Sequence, residues 1–428
     1  MTPRPKIPAV KNPPKAAVIE NGSPAPADPG FLRGDSEMAG RIRGFDWSDS
    51  PVGPIESWSP ALRTMLGILL ANRFPMLLWW GPRYISFYND AYRPILGVKH
   101  PVQALGVPVS ECWSEIWPIL RPLIDTPFQG GPATWMEDIE LEIKRHGFLE
   151  ETHFTIAYSP VPDESVPGNI GGVLATVHEI TGKIIGERRM LILRDLAAGL
   201  IELKSVEEVC RDAAKALSAH AKDVPFALFY LIEPDQKQAR LVGAAGIVEG
   251  ALASPRIIEL GQEVNERQTW PLGVTARTKA TRTVEDLAER FGDQLPPGPW
   301  SDPPLHAVIV PLETQSGQPP AGFLICGVSS RLKLDHDYRS FIELLARQIS
   351  TGIATAHNYT EQRRHAGMLA EQNLETQQAR RAALNLMEDA VQSARIAEAL
   401  NAQVRASEER YRTLFNSMDE GFCVIEII

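Results

Sequence analysis

The chain has 428 residues, of which 44 % are hydrophobic and 22 % charged, and its formal net charge is −10. That length leaves room for two or three domains, the composition is ordinary for a globular protein, and the acidic balance argues against nucleic acid as a partner. Four scattered cysteines (Cys112, Cys210, Cys326, Cys423) without CxxC spacing fit a reducing compartment and no disulfide framework. The N-terminus lacks an apolar export signal. The most lipid-like window, residues 65–80, is broken by Asn72, Arg73 and Pro75, so no membrane span is expected. The expectation is a cytoplasmic protein.

Residues 1–44 open with eight prolines in the first thirty positions. Such a stretch has too little apolar surface to order itself and reads as a disordered tail. A first domain is expected from residue 45. Residues 60–72 have Leu62, Leu66, Leu69 and Leu70 spaced as one apolar helix face. Residues 74–80 form a continuous apolar, aromatic-rich run ended by Gly81-Pro82, which suits a buried strand better than a helix. Residues 84–88 are the next strand, and Gly81-Pro82-Arg83 supplies the hairpin turn. Asn89-Asp90-Ala91-Tyr92 opens a short helix that stops at Gly97. Strands are expected at 133–143, 150–159 and 171–179.

Further on, residues 190–202 and 206–219 read as helices. Strands follow at 226–232, 240–245, 303–312 and 322–329, and a helix begins at 335. From there the chain is free of proline to its end, and it lacks glycine between Met368 and Glu420. Residues 337–418 are rich in Ala, Gln, Glu, Arg and Leu, all good helix formers. Leu384, Met387, Val391 and Ala394 follow the three-four spacing of a coiled-coil seam, and Leu400, Val404, Ser407, Tyr411, Leu414 and Met418 follow it again. The two runs differ by one residue in phase, a slip that locally changes supercoiling. A parallel two-stranded coil in a homodimer would cover the stripe, which a lone helix leaves wet.

These stretches carry resemblances. "ISFYNDAYRPILG" resembles the signature of PAS domains, on Asn89, Ala91, Tyr92, Leu96 and Gly97. "TVHEITGKIIGERR" resembles the exit of that fold, where a last strand ends in an acid-Ile-Thr triplet, here Glu179-Ile180-Thr181. The match spans about residues 45–186. "SVEEVCRDAAKAL", "PFALFYLIEPDQKQARLVGAAGI" and "DYRSFIELLARQISTGIATAHNY" resemble a GAF domain across 187–357, which implies a six-stranded antiparallel sheet with helices on one face. Residues 358–407 are then a helical coiled-coil linker. "SEERYRTLFNSMDEGFCVIEII", which starts at Ser407, resembles the opening of a second PAS domain, placed at residues 408–428.

The fold class expected is therefore α+β: a PAS-like sheet domain, a GAF-like domain with flanking helices and a long C-terminal signalling helix. By resemblance this is the sensory region of a bacterial cytoplasmic two-component histidine kinase. It would pass a ligand signal through a dimeric helix to a kinase beyond the chain, with a response regulator downstream. Two alternatives stay open: a stand-alone PAS/GAF binding or scaffold protein, and the sensor of a cyclic-dinucleotide enzyme.

Candidate sites are few. His178-Glu179-Ile180-Thr181 has the start of a phospho-accepting histidine box, but Gly182-Lys183 replaces its end and the setting is a strand exit. Thr181-Gly182-Lys183-Ile184 lacks the upstream glycine of a phosphate loop. No Asp-x-Gly-x-Gly, metal-ligand spacing or Asn-Lys-x-Phe-Asp-Glu motif is present, so no catalytic or metal residue is assigned. Cys210 and Cys326 lack the neighbouring histidine of bilin carriers. Trp79, Trp80, Phe87, Tyr88, Trp113, Trp117 and Trp135 make the first domain aromatic-rich. The plain account is core packing; the resemblance implies a ligand cavity, with Trp80, Phe87, Tyr88, Asn89 and Tyr92 as candidates. The cofactor or ligand is unknown at this stage.

Overall fold

The computed structural model describes residues 30–32, 34–199, 205–261, 269–313 and 319–417. The described residues begin ahead of the expected boundary at 45. Helix α1 (Glu37–Gly44) is capped by Ser36, whose side chain accepts from the Ala39 N–H, and it buries Met38 and Ile42. Together with Leu32 these join the first core, so residues 30–44 are not all tail: three apolar side chains anchor them. Residues 1–29 lie outside the described residues.

Helix α2 (Pro60–Ala71) has Ser59 as its cap and proline in its first turn, and buries Leu62, Leu66 and Leu69. Strands β1 (Met76–Trp80) and β2 (Ile85–Tyr88) form the hairpin, with Leu77 opposite Tyr88 and Trp80 opposite Ile85. Asn89 then caps the turn leading into α3 (Arg93–Leu96), and Gly97 ends it at φ 54°. A Cβ at Gly97 would lie 2.3 Å from the Arg145 carbonyl oxygen, so only glycine fits there.

After α4 (Val109–Cys112) comes α5 (Trp117–Phe128), which the sequence reading passed over. Three prolines hide it. Pro118 sits in the first turn, where its missing N–H costs nothing. Pro127 cannot donate to the Leu123 carbonyl, which instead accepts from the Thr134 hydroxyl at 2.9 Å. Strands β3 (Thr134–Lys144), β4 (Leu149–Pro162) and β5 (Ile170–Glu179) complete an antiparallel sheet of order β2-β1-β5-β4-β3.

Helix α6 (Thr181–Gly199) starts at the end of β5, nine residues ahead of the expected start at 190, and runs without a break into the second region. The boundary set at 186 thus falls inside a continuous helix. Helix α7 (Val206–Ser218) begins with a full capping box, Ser205 and Glu208. The second sheet contains β6 (Ala227–Ile232), β7 (Gln238–Ala245), β8 (Ile257–Glu259), β9 (Arg282–Val284), β10 (Ala307–Leu312) and β11 (Gly322–Gly327). Its order is β8-β7-β6-β11-β10-β9, and all its pairings are antiparallel. The helices α6, α7 and α10 pack on one face. The opposite face is covered too, by the stretch carrying α8 (Leu272–Thr278) and α9 (Leu287–Phe291).

Helix α10 (His336–Ser417) is 82 residues long, about 120 Å at 1.5 Å per residue. Its first part buries Tyr338, Phe341, Ile342, Leu345, Ile349 and Ile353, the spacing of one helix face. From Gln362 to Ser417 every residue is exposed. Met418 and the strand expected after it lie outside the described residues. Among the described residues no helix is long and apolar enough to cross a membrane.

Candidate functional site

The first core encloses a small cavity beneath its sheet. Alternation along the strands decides its wall. Leu77 and Trp79 of β1, Phe154, Ile156 and Tyr158 of β4, and Val177 of β5 line one side. Tyr92, Ile95, Trp113 and Leu120, from the helical segments, line the other. Trp79 stands against Tyr158 with ring centroids 5.2 Å apart. Burial raises the pKa of the Tyr92 hydroxyl well above the usual value. Burial also raises Tyr158. Both phenols stay neutral.

Of the five sequence candidates, Tyr92 is on this wall. Phe87 stacks on Trp47 at 4.8 Å and meets Trp58 edge-on at 5.5 Å. Trp80 packs over Gly171 and Gly172, where a Cβ would lie 2.6 and 2.7 Å from its ring. Tyr88 hydrogen-bonds His100 Nδ1 at 2.8 Å, and His100 Nε2 meets Glu37 at 3.1 Å, which ties α1 to the sheet. Asn89 is a fastener. Its Oδ1 accepts from the N–H groups of Met76 and Tyr92, and its Nδ2 donates to the carbonyls of Leu69, Asn72 and Phe74. The structure thus brings Tyr92 together with Trp79, Trp113 and Tyr158.

A second cluster lies where the two sheet domains meet. Arg188 of α6 forks to Glu151 of β4, its Nη2 donating at 3.1 Å, and its Nε donates to Asp223. Both carboxylates are buried. Lys222 reaches Glu140 at 2.8 Å, and Arg331 pairs with Glu142 and Asp302. Burial pushes the Glu151 carboxyl up, but hydrogen bonds from Arg188 and His153 outweigh it and hold it below the usual range. Glu140, Glu151 and His153 come close enough to share an ion. The register explains this grouping, because Glu140 pairs with His153 across β3 and β4 and Glu151 is two residues from His153. Linear spacing cannot reveal it. Each of the two acids already faces a cation, so the cluster is satisfied as an interdomain fastening. Beside it an open cleft of about 840 Å³ runs between the domains, its Lys99 and Arg331 also paired.

The far face of the second sheet is filled. Phe226, Tyr230, Phe323, Phe291 and Trp270 are all buried there. The Tyr230 hydroxyl donates to the Pro255 carbonyl and the Trp270 indole to the Ala253 carbonyl, each at 2.7 Å. Cys112, Cys210 and Cys326 are free and buried, and burial pushes each thiol up to about 12. They are packing residues rather than nucleophiles. Cys423 lies outside the described residues.

Residues 204–354 match the family described as GAF domain. The chain therefore carries a GAF domain, and its second sheet with α7 and the start of α10 is that domain. Solved structures resemble part of the chain. The GAF domain of an Acinetobacter phosphoenolpyruvate-protein phosphotransferase is 17 % identical with a TM-score of 0.30, covering 40 % of this chain and 94 % of that one. A putative GAF sensor protein from Burkholderia vietnamiensis is 16 % identical at 0.30, covering 40 % and 92 %. Residues 122 to 287 of a methyl-accepting chemotaxis protein are 16 % identical at 0.29, covering 38 % and 96 %. No curated protein matches the chain.

Proposed function

We propose that this chain is a sensory module. Its first domain is PAS-type and binds a small ligand, its GAF domain relays, and α10 carries the signal in a parallel homodimer to a kinase output. GAF domains are small-molecule sensing and signalling modules found in sensor proteins. The observation that carries the reading is α10 itself. One end is built into the GAF core, and the remainder stands bare with Leu384, Met387, Val391, Leu400 and Val404 each more than half exposed. An apolar stripe on a helix this long calls for a partner.

The strand order 2-1-5-4-3 and the Asn89-capped turn ahead of Gly97 support the PAS reading. In this reading the output is a histidine kinase joined in cis, a response regulator acts downstream, and the site of action is the cytoplasm. A helix connecting two domains can transmit only by having two arrangements whose balance the ligand shifts. The phase slip between Ala394 and Leu400 is where two packings are closest in energy. A tenfold preference of the ligand for one arrangement, about 1.4 kcal/mol, moves a balanced pair strongly.

Leu384→Asp and Val391→Asp should weaken self-association of the full chain in sedimentation equilibrium, because each places a charge in the seam. Gln378→Asp and Gln392→Asp, both one place off the seam, should change it little. Equal effects from all four would sink the seam assignment. The chain incubated with labelled ATP should take up no acid-labile phosphate; uptake would mean a kinase centre in the chain itself.

A further inference from the structure

We propose that the contact between copies begins on the GAF domain itself, ahead of the bare helix. A second copy of this chain docks on the face that α6 and the start of α10 present together, in one unbroken heptad frame with the rest of α10. This step rests on the reading of α10 as a parallel pair.

The sequence carries the frame. Stepping back from Leu414 through Tyr411, Ser407, Val404 and Leu400, in alternate steps of three and four, the positions run without a skip to Thr351, Gln348 and Leu344. From Leu344 to Ser417 no Asp, Glu, Lys or Arg falls on them, whereas each of the other five heptad positions carries charge. A stripe kept free of charge over that length suits a covered seam. Between Gln348 and His365 it is uncharged but polar, which lowers the stability of a pair and fixes its register. The flanking charges agree. In a parallel, in-register pair, a residue on one flank meets the residue five places on in the other copy. Only one such meeting has charge on both sides, Glu375 with Arg380 of the second copy, and it is an attraction. In the middle of the helix the frame takes Ala383, Leu386 and Ala390, each one place before Leu384, Met387 and Val391. That segment therefore has two stripes to pack by.

The structure shows where the frame begins. The GAF core takes Phe341, Leu345 and Ile349 from α10, and Leu344, Gln348 and Thr351 lie on another side of the helix. They share an open groove with Met190 and Leu193 of α6. Met190 is 67 % exposed and Leu344 45 %. The Gln348 amide donates to the Leu193 carbonyl at 3.1 Å and holds the two helices together. A symmetric pair joined along this frame brings the two grooves face to face. Helix α6, which leaves the first domain at the end of β5, then stands at the contact between copies, where a shift of that domain acts on the seam directly.

The test places single cysteines in the full chain, its native cysteines replaced by alanine or serine and its folding checked by melting. Under mild oxidation Thr351→Cys and Leu400→Cys should give disulfide-linked dimer. Glu343→Cys, exposed beside Leu344 but off the frame, should stay monomeric on denaturing gels. In sedimentation equilibrium Met190→Asp should weaken self-association by about tenfold, since a symmetric pair would bury two added charges. Leu252→Asp, exposed elsewhere on the GAF domain, should change it little. Linkage at Leu400→Cys without linkage at Thr351→Cys would overturn the GAF contact and leave the helical pair standing. Equal effects of Met190→Asp and Leu252→Asp would remove α6 from the contact. Equal linkage at all three cysteines would overturn the frame. A chain that stays monomeric throughout would overturn both the contact and the helical pair it rests on.

Discussion

The two sheet domains bury tryptophan in the same kind of setting and treat it differently. In the GAF domain, Trp270 lies under the sheet with its N–H bonded to the Ala253 carbonyl, and aromatic rings fill the space around it. In the first domain, Trp79 lies under the sheet with its N–H unmet, beside a cavity. The GAF arrangement is what packing alone produces: the apolar body is buried and the polar handle is satisfied. The first domain departs from it at one atom, the Trp79 Nε1, which has no hydrogen-bond partner.

The largest effect expected concerns a polar side chain of the first domain that is fully satisfied. Asn89→Ala removes the partners of five backbone groups at once, and should destabilise the domain by about 3 kcal/mol or more in urea unfolding. A change under about 1 kcal/mol would return Asn89 to the list of ligand contacts. Next comes the direct contrast. Trp270→Phe leaves the Ala253 carbonyl unpaired and opens space, for a loss of about 2 kcal/mol. Trp79→Phe breaks no hydrogen bond, so its loss should be smaller by about 1 kcal/mol. Equal losses would erase the distinction between the two domains.

The smallest effect tests the fastening between them. The folded-state pKa of Glu151 is depressed below its ordinary value of 4.5. Its contribution to stability is therefore full above that pH and is lost as the pH falls through the depressed value. Melting curves of the full chain should show a drop below about pH 4.5 that is reduced in Glu151→Gln. An identical drop in both would place acid sensitivity elsewhere.

Much of the fold was legible because local signals agreed. The apolar run of β1, the Gly81-Pro82 turn, the Asn89 cap and the Gly97 stop each name one backbone conformation. The start of α10 was named to within one residue, and all of the described chain from there to Ser417 is helix. Helix α5 was not legible, because Pro122 and Pro127 inside it argue against a helix and only Thr134, brought up from β3, repairs the gap. The cavity was half legible. Tyr92 was named from the resemblance, but Trp79 stood only among the aromatics. Strand parity could not separate Trp79 from Trp80, because β1 is covered on both faces and shows no alternation of apolar and polar residues. The interdomain cluster needed the β3–β4 register, which no spacing in the sequence encodes.

Everything in this account runs through α10, so the most direct measurement is its pairing. Single cysteines carrying nitroxide labels at the exposed positions Gln378 and Gln392, which share one heptad position off the seam, in a full chain whose native cysteines are replaced by alanine or serine, report it through pulsed electron resonance. A parallel, in-register pair of helices lies about 8–10 Å apart along its length, so both positions should give a dipolar coupling and nearly the same separation. No coupling at tens of micromolar protein, or separations that differ widely between the two positions, would contradict a parallel helical dimer and leave the bare stripe from Leu384 to Val404 without the partner proposed for it.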